Sequence, residues 1–242
     1  MSKSHVPFLL ALACGRGVQL EIMKADVIEK LRFRLAQAGA ANVDAYVEKL
    51  YANYNNPAIL DDLLFEARAA LVFLKNGFSV ELRESPDLRL SLGGFQFYAE
   101  VKHFREKEQD RLDDANMQTA GNLLVQIGDT VPLEGSSPWD QIVAVAERKA
   151  KQFREDAPNI LVIESGSDAV DAIDVPTATN IIEKRVVSGH CLGLVKLNGI
   201  LHTNTRSINL SRRRNAEFFE IRTGTMPLGP AVLEALHCIQ WG

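Results

Sequence analysis

The sequence predicts an α/β fold: a mixed sheet flanked by helices, its core ordered helix, strand, strand, strand, helix, strand, with a helical appendage in front. Three observations carry this. A Gly93-Gly94 pair joins two alternating apolar runs in SPDLRLSLGGFQFYAEVKHF, residues 85–104, which is the signal of a two-residue β-hairpin loop. A long stripe of apolar residues at helical spacing starts at Pro57, ahead of the hairpin. Beyond a second helical stripe lies NILVIE, residues 159–164, a short and nearly continuous apolar run bounded by Pro158 and Gly166, as expected of a strand buried on both faces of a mixed or parallel sheet. With 242 residues, 46% apolar and 24% charged, the chain has room for one large domain with an appendage.

In chain order, Gln19 to Ala38 and Val43 to Tyr54 have helical spacing, with Ile22, Val27, Ile28, Leu31 and Leu35 on one side of the first and Gly39 between them. Residues 1–56 are read as the helical appendage and 57–242 as the main domain. Asn56-Pro57 is a helix start, a capping side chain followed by proline at the first helical position, and Asp61 and Asp62 suit the positive end of the dipole. Ile59, Leu60, Leu63, Leu64, Ala67, Ala70, Leu71 and Leu74 form the buried stripe of that helix, which stops at Asn76-Gly77. Glu66 sits at the margin of the stripe, either reaching solvent along the flank or aimed at a site on the sheet. Phe78 to Leu82 is a strand. Arg105 to Asp114 is a charge run, read as a solvated loop or helix start. Trp139 to Phe153 is a helix, and Cys191 to Asn198 and Phe218 to Arg222 are strands that extend the sheet. Leu228 to Trp241 is a closing helix.

The hairpin loop sets a register. If Leu92 faces Phe95, then Leu90 pairs with Phe97, Leu88 with Ala99 and Asp87 with Glu100. One face becomes wholly apolar, and the other carries Asp87, Arg89, Ser91, Gln96, Tyr98, Glu100 and Lys102. Two carboxylates then stand opposite each other with Cβ atoms roughly 5 Å apart, a destabilising cross-strand pair. At an effective dielectric near 20 they repel by ~3 kcal/mol. A divalent cation between them, helped by the Lys102 ammonium, would reverse that repulsion. Hard oxygen ligands that leave room for water and phosphate oxygens are what Mg²⁺, or Mn²⁺, takes.

A net charge of −4 argues against nucleic-acid binding through overall charge but leaves room for a local basic patch. The densest such run is Ser211 to Asn215, where Arg212, Arg213 and Arg214, with Arg206 just before, are placed to grip phosphates. Cys14, Cys191 and Cys238 show neither disulfide nor zinc spacing, which fits a reducing, cytoplasmic setting. No apolar run approaches the roughly 20 residues needed to span a bilayer, so no membrane partner is expected. The opening MSKSHVPFLLALACG imitates a short secretory signal but is read as a buried N-terminal segment. His103 should face the opposite side of its strand from Lys102, as a core-edge residue. His190, His202 and His237 have no ligand spacing.

Taken together, Pro86-Asp87, Glu100-Val101-Lys102 on the next strand and Glu66 on the preceding helix resemble the PD-(D/E)XK nuclease superfamily over roughly Pro57 to Ser165. The resemblance implies a restriction-endonuclease-like core. It also implies Asp87 and Glu100 as ligands of a divalent metal, Glu66 as a further ligand, Lys102 as the group that positions or activates the attacking water, and a homodimer that pairs two sites. The expected activity is metal-dependent phosphodiester hydrolysis, of DNA in the first instance. The alternative is a non-catalytic nucleic-acid-binding or assembly module on the same fold. Lys149 and Gln152 occupy positions where a supporting polar residue would stand, although a lysine at the edge of a core helix reaches solvent by itself.

Overall fold

The computed structural model describes residues 25–104, 137–165, 172–204 and 216–241. Helix α1 covers residues 25–37, α2 Val43–Ala52 and α3 Pro57–Lys75. Strands β1 (Ser79–Leu82), β2 (Leu88–Leu92) and β3 (Phe95–Phe104) follow, then α4 (Pro138–Lys149), β4 (Asn159–Ser165), α5 (Asp174–Val187), β5 (Leu197–Asn204), β6 (Ala216–Glu220) and α6 (Pro230–His237). The strands form one six-stranded sheet in chain order. The first three are antiparallel, β3, β4 and β5 run parallel, and β6 returns antiparallel. The class expected from the sequence, a mixed sheet flanked by helices, is therefore what is found.

Local chemistry explains the early elements. The Asn56 side chain accepts a hydrogen bond from the Ile59 N–H at 3.3 Å, with Pro57 at the first helical position, and α3 ends where Gly77 takes a φ of 84° that glycine adopts without strain. Gly93 and Gly94 also have positive φ, at 58° and 84°, as the tight hairpin requires. The register is the expected one, with Leu88 opposite Ala99, Leu90 opposite Phe97 and Leu92 opposite Phe95.

Alternation along the strands separates two cores. On one face Leu88, Leu90, Phe97, Ala99 and Val101 pack with Ile160 and Val162 of β4 beneath α1, α2, α3 and α6. On the other, Leu161, Ile163 and Ile200 pack against Ile142 and Ala146 of α4 and Val175, Ala178 and Ile182 of α5. Ile28, Leu35, Tyr46 and Leu50 of the first two helices belong to the first core, and Ala41 exchanges backbone hydrogen bonds with Val80 and Leu82 of β1.

The C-terminal third departs from the sequence reading. Cys191 to Asn198 is not a strand: Leu192–Lys196 forms a 3₁₀ turn and β5 begins at Leu197. Gly193 lies so close to Ala150 that an added Cβ would stand 2.9 Å from the Ala150 Cβ, so the segment is a close-packed corner rather than an extended run. Helix α5 was not anticipated, although Val175, Ala178, Thr179 and Ile182 bury at one-face helical spacing. The closing helix is Pro230–His237, shorter than Leu228 to Trp241. Among the described residues no helix is long and apolar enough to cross a membrane.

The start of β4 is held by a buried amide. Asn159 donates to the Arg154, Ala157 and Lys196 carbonyls at 2.9, 2.9 and 3.0 Å and accepts from the Arg154 N–H at 2.8 Å, while its own N–H donates to the Asn198 side chain at 2.9 Å. Replacing Asn159 by the similarly sized leucine takes the side-chain partner from the Arg154 N–H and from the Arg154, Ala157 and Lys196 carbonyls, each group left unsatisfied costing about 1–3 kcal/mol. Urea unfolding of Asn159→Leu should therefore show a loss of about 3 kcal/mol or more.

Candidate active site

The site begins where β2 runs out. Because β2 starts at Leu88 opposite Ala99, the far half of β3 keeps β4 on one side and has no β2 residue on the other. Asp87, one residue before β2, fills that gap with its side chain: Oδ2 accepts the Val101 N–H at 2.8 Å, in place of a strand carbonyl. Glu100 pairs with Leu161 of β4 and faces the α4 side, and Lys102, two residues on, points the same way. Both carboxylates are buried, Asp87 at 4% exposure and Glu100 at 0%.

The cation that meets them comes from α4. Lys149 Nζ donates to Glu100 Oε2 at 2.6 Å and lies 3.5 Å from Asp87 Oδ2. It is the last residue of the helix, so its stem crosses the edge of the second core and its ammonium ends inside the site. Lys102 is directed elsewhere: its Nζ donates to Asp62 Oδ2 on α3 at 3.2 Å. Thus the structure joins Asp87, Glu100 and Lys149, and holds Lys102 against an aspartate that the sequence reading treated only as a companion of the helix dipole.

Glu66 on α3 is buried rather than solvated. Its Oε2 lies 3.1 Å from the Tyr46 hydroxyl and 3.5 Å from Lys49 Nζ, both on α2. The Tyr46 hydroxyl also donates to the Leu63 carbonyl at 2.5 Å. Burial, then the charge of Asp87, raises the Glu66 pKa from its usual range to about 7, against the opposing pull of Lys49, Tyr46 and Lys149. Burial and then Asp87 likewise raise Glu100 to about 8, although Lys149 pulls it down. Burial would lower the Lys149 pKa, but Asp87 and Glu100 outweigh it and the net shift is upward. The Tyr46 phenol is pushed well above its ordinary value by burial and by Glu66. The charge of Asp87, at the head of β2, is thus felt both by Glu66 on α3 and by Glu100 on β3.

Among the described residues no three or more His, Cys, Asp or Glu side chains converge so as to hold a metal ion. Mg²⁺, however, takes one or two carboxylates and completes its shell with water and phosphate oxygens. Glu100 Oε1 is buried without a hydrogen-bond partner, leaving an oxygen with unused acceptor capacity beside Asp87. A hard divalent cation fits this donor set.

A separate carboxylate, Glu164 of β4, is buried on the opposite face, paired with Arg68 at 3.1 Å and 3.8 Å from His103 Nε2. His103 faces that side, as its position after Lys102 implied, and its ring centroid lies 5.9 Å from that of Phe65. Arg212, Arg213 and Arg214 lie outside the described residues. Sequence reasoning missed Tyr46, Lys49 and Asp62, and undervalued Lys149. Only Lys149 carried a signal, a lysine among the apolar positions of its helix. No family model, curated protein or solved structure matches this chain.

The raised carboxylate pKa values fix a pH dependence. Between the ordinary carboxylate range and about 8 the folded state holds protons on Glu66 and Glu100 that the unfolded chain has released, so stability falls as pH rises through that window. Without added metal, the melting temperature should decline from pH 5 to pH 8, and Glu100→Gln, which cannot ionise, should flatten the decline.

Proposed function

We propose that this chain is a metal-dependent nuclease of the PD-(D/E)XK type that hydrolyses phosphodiester bonds of DNA. The observation that carries the reading is the burial of Asp87 and Glu100 together at the point where the hairpin joins the parallel strands, with Lys149 between them and Glu66 within electrostatic reach of Asp87. Two carboxylates at one buried spot cost stability unless a cation is held there. Asp87 and Glu100 would hold a divalent ion, with Glu66 as a further or outer ligand. That ion would polarise a non-bridging phosphate oxygen and lower the pKa of bound water.

The chain's own residues do the rest. Asp62 orients the Lys102 ammonium, which is partly exposed and stabilises negative charge building on the phosphate oxygens. Lys149 keeps the Asp87 and Glu100 oxygens turned toward one point and prevents their mutual repulsion from spreading the hairpin. Tyr46 and Lys49 hold Glu66 in place, and its carboxyl, with a pKa of about 7, can take up or release a proton near neutrality.

A second reading draws on one observation: Lys149 already supplies a cation to both carboxylates, and Lys102 is held by Asp62. A site closed by its own lysines belongs to a nucleic-acid-binding or assembly module. The two readings separate on incubation of supercoiled plasmid, single-stranded DNA and RNA with Mg²⁺ or Mn²⁺, beside EDTA. Metal-dependent cutting is expected, reduced about 10²-fold or more in Asp87→Asn and in Lys102→Met while both variants keep a cooperative melt. No cutting, with no rise in melting temperature on adding metal, would move the assignment to the binding module. Lys149→Met is expected to destabilise the metal-free protein by about 3–5 kcal/mol, because it leaves buried carboxylates unpaired. Thermal melts with and without Mn²⁺ should then show metal restoring more stability to this variant than to the wild type.

A further inference from the structure

We infer that the cleft between α4 and the carboxyl end of β3 is a track for the nucleic-acid backbone, and that Arg148 and Lys151 are its phosphate contacts. The inference rests on the nucleic-acid reading above and adds where the strand lies. The cleft has a volume of about 840 Å³, with Lys102, His103 and Phe104 on one wall and α4 on the other. Lys102 stands two residues beyond Glu100 on β3, so the cleft lies next to the carboxylate site. Its position, outside the carboxyl ends of parallel strands, is where open α/β sheets bind ligands.

The α4 wall is a stripe. Gln141, Ala144, Arg148 and Lys151 recur at spacings of three and four, so they share one side of the helix and of the turn that follows it. Ala144 keeps the middle of the wall low, which lets a sugar-phosphate chain approach. Arg148 Nε donates to the Ala144 carbonyl of its own helix at 3.3 Å, which fixes the guanidinium plane and leaves both Nη groups for a bidentate phosphate contact. Arg148 and Lys151 are exposed, and neither pairs with a carboxylate of the described residues. Glu147, the acid of this wall, is instead tied to Arg185 on α5 at 2.5 Å. Cations near a helix C-terminus are stabilised by the dipole wherever they point. The dipole does not explain why both unpaired cations line the cleft while the acid between them and the core is neutralised.

The test is binding without catalysis. In EDTA, fluorescence anisotropy of a short fluorescein-labelled DNA duplex and single strand would be read across a range of salt for wild type, Arg148→Glu/Lys151→Glu, the milder Arg148→Gln/Lys151→Gln, and, as control, Lys184→Glu at an exposed position of α5. The glutamate pair should weaken binding about tenfold or more. The glutamine pair should flatten the slope of log affinity against log salt by about 2, one unit for each phosphate that is no longer neutralised. The control should bind as wild type. Unchanged affinity and slope in both pairs would overturn the inference, as would a loss confined to an Arg212→Ala/Arg213→Ala/Arg214→Ala variant. If the wild type cuts DNA while the pairs bind normally, the track is wrong and the nuclease reading stands. If the wild type neither binds nor cuts, that reading falls and takes the track with it.

Discussion

Two buried carboxylates meeting one ammonium is the constraint around which this molecule is arranged. Asp87 and Glu100 lie side by side with Lys149 as their shared cation. A single positive charge neutralises one of them. The excess is relieved by a proton on Glu100, whose pKa burial and then the charge of Asp87 push up to about 8, or by a second cation. Removing one partner from such a set leaves an uncompensated charge where water does not reach, which costs several kcal/mol. The elements that meet here, the head of β2, the middle of β3 and the end of α4, therefore have little freedom to move apart.

Strand β3 makes that meeting possible. It is ten residues long, while β2 has five, so its second half is paired on one side by β4 and capped on the other by a side chain. A longer β2 would have satisfied the Val101 N–H with a backbone carbonyl and closed the gap. The short strand instead spends a carboxylate on the ladder and leaves space for charged groups. Helix α3 crosses the same region from the opposite face and brings Asp62 to Lys102 and Glu66 to the neighbourhood of Asp87, while α2 supplies Tyr46 and Lys49 to hold Glu66. The N-terminal helices thus share both the core and the electrostatics of the site.

The hairpin was legible because its information is local. Two adjacent glycines specify the loop, the loop specifies the register, and period-two alternation assigns each side chain to a face. The cap and stop of α3 were legible for the same reason. The corner at Leu192–Lys196 was not, because LGLVK has the apolar character of a strand, while its turn packs Gly193 against Ala150, a residue far away in the chain. Helix α5 was missed although its buried positions carry the period, since proline and three threonine or asparagine residues in the first half obscure it.

From the sequence alone came the α/β class, the order of the core elements, and the placing of Glu100 and Lys102 on one face of β3, because strand alternation and turn chemistry act over a few neighbouring residues; Asp87, expected opposite Glu100, instead precedes β2 and turns its carboxylate to the Val101 N–H. Tertiary structure alone decided which cation serves the two carboxylates. Lys149 is 49 residues from Glu100 in the chain, and Asp62 is 40 from Lys102. A long flexible side chain takes whichever partner packing brings within reach, and no local pattern records that choice.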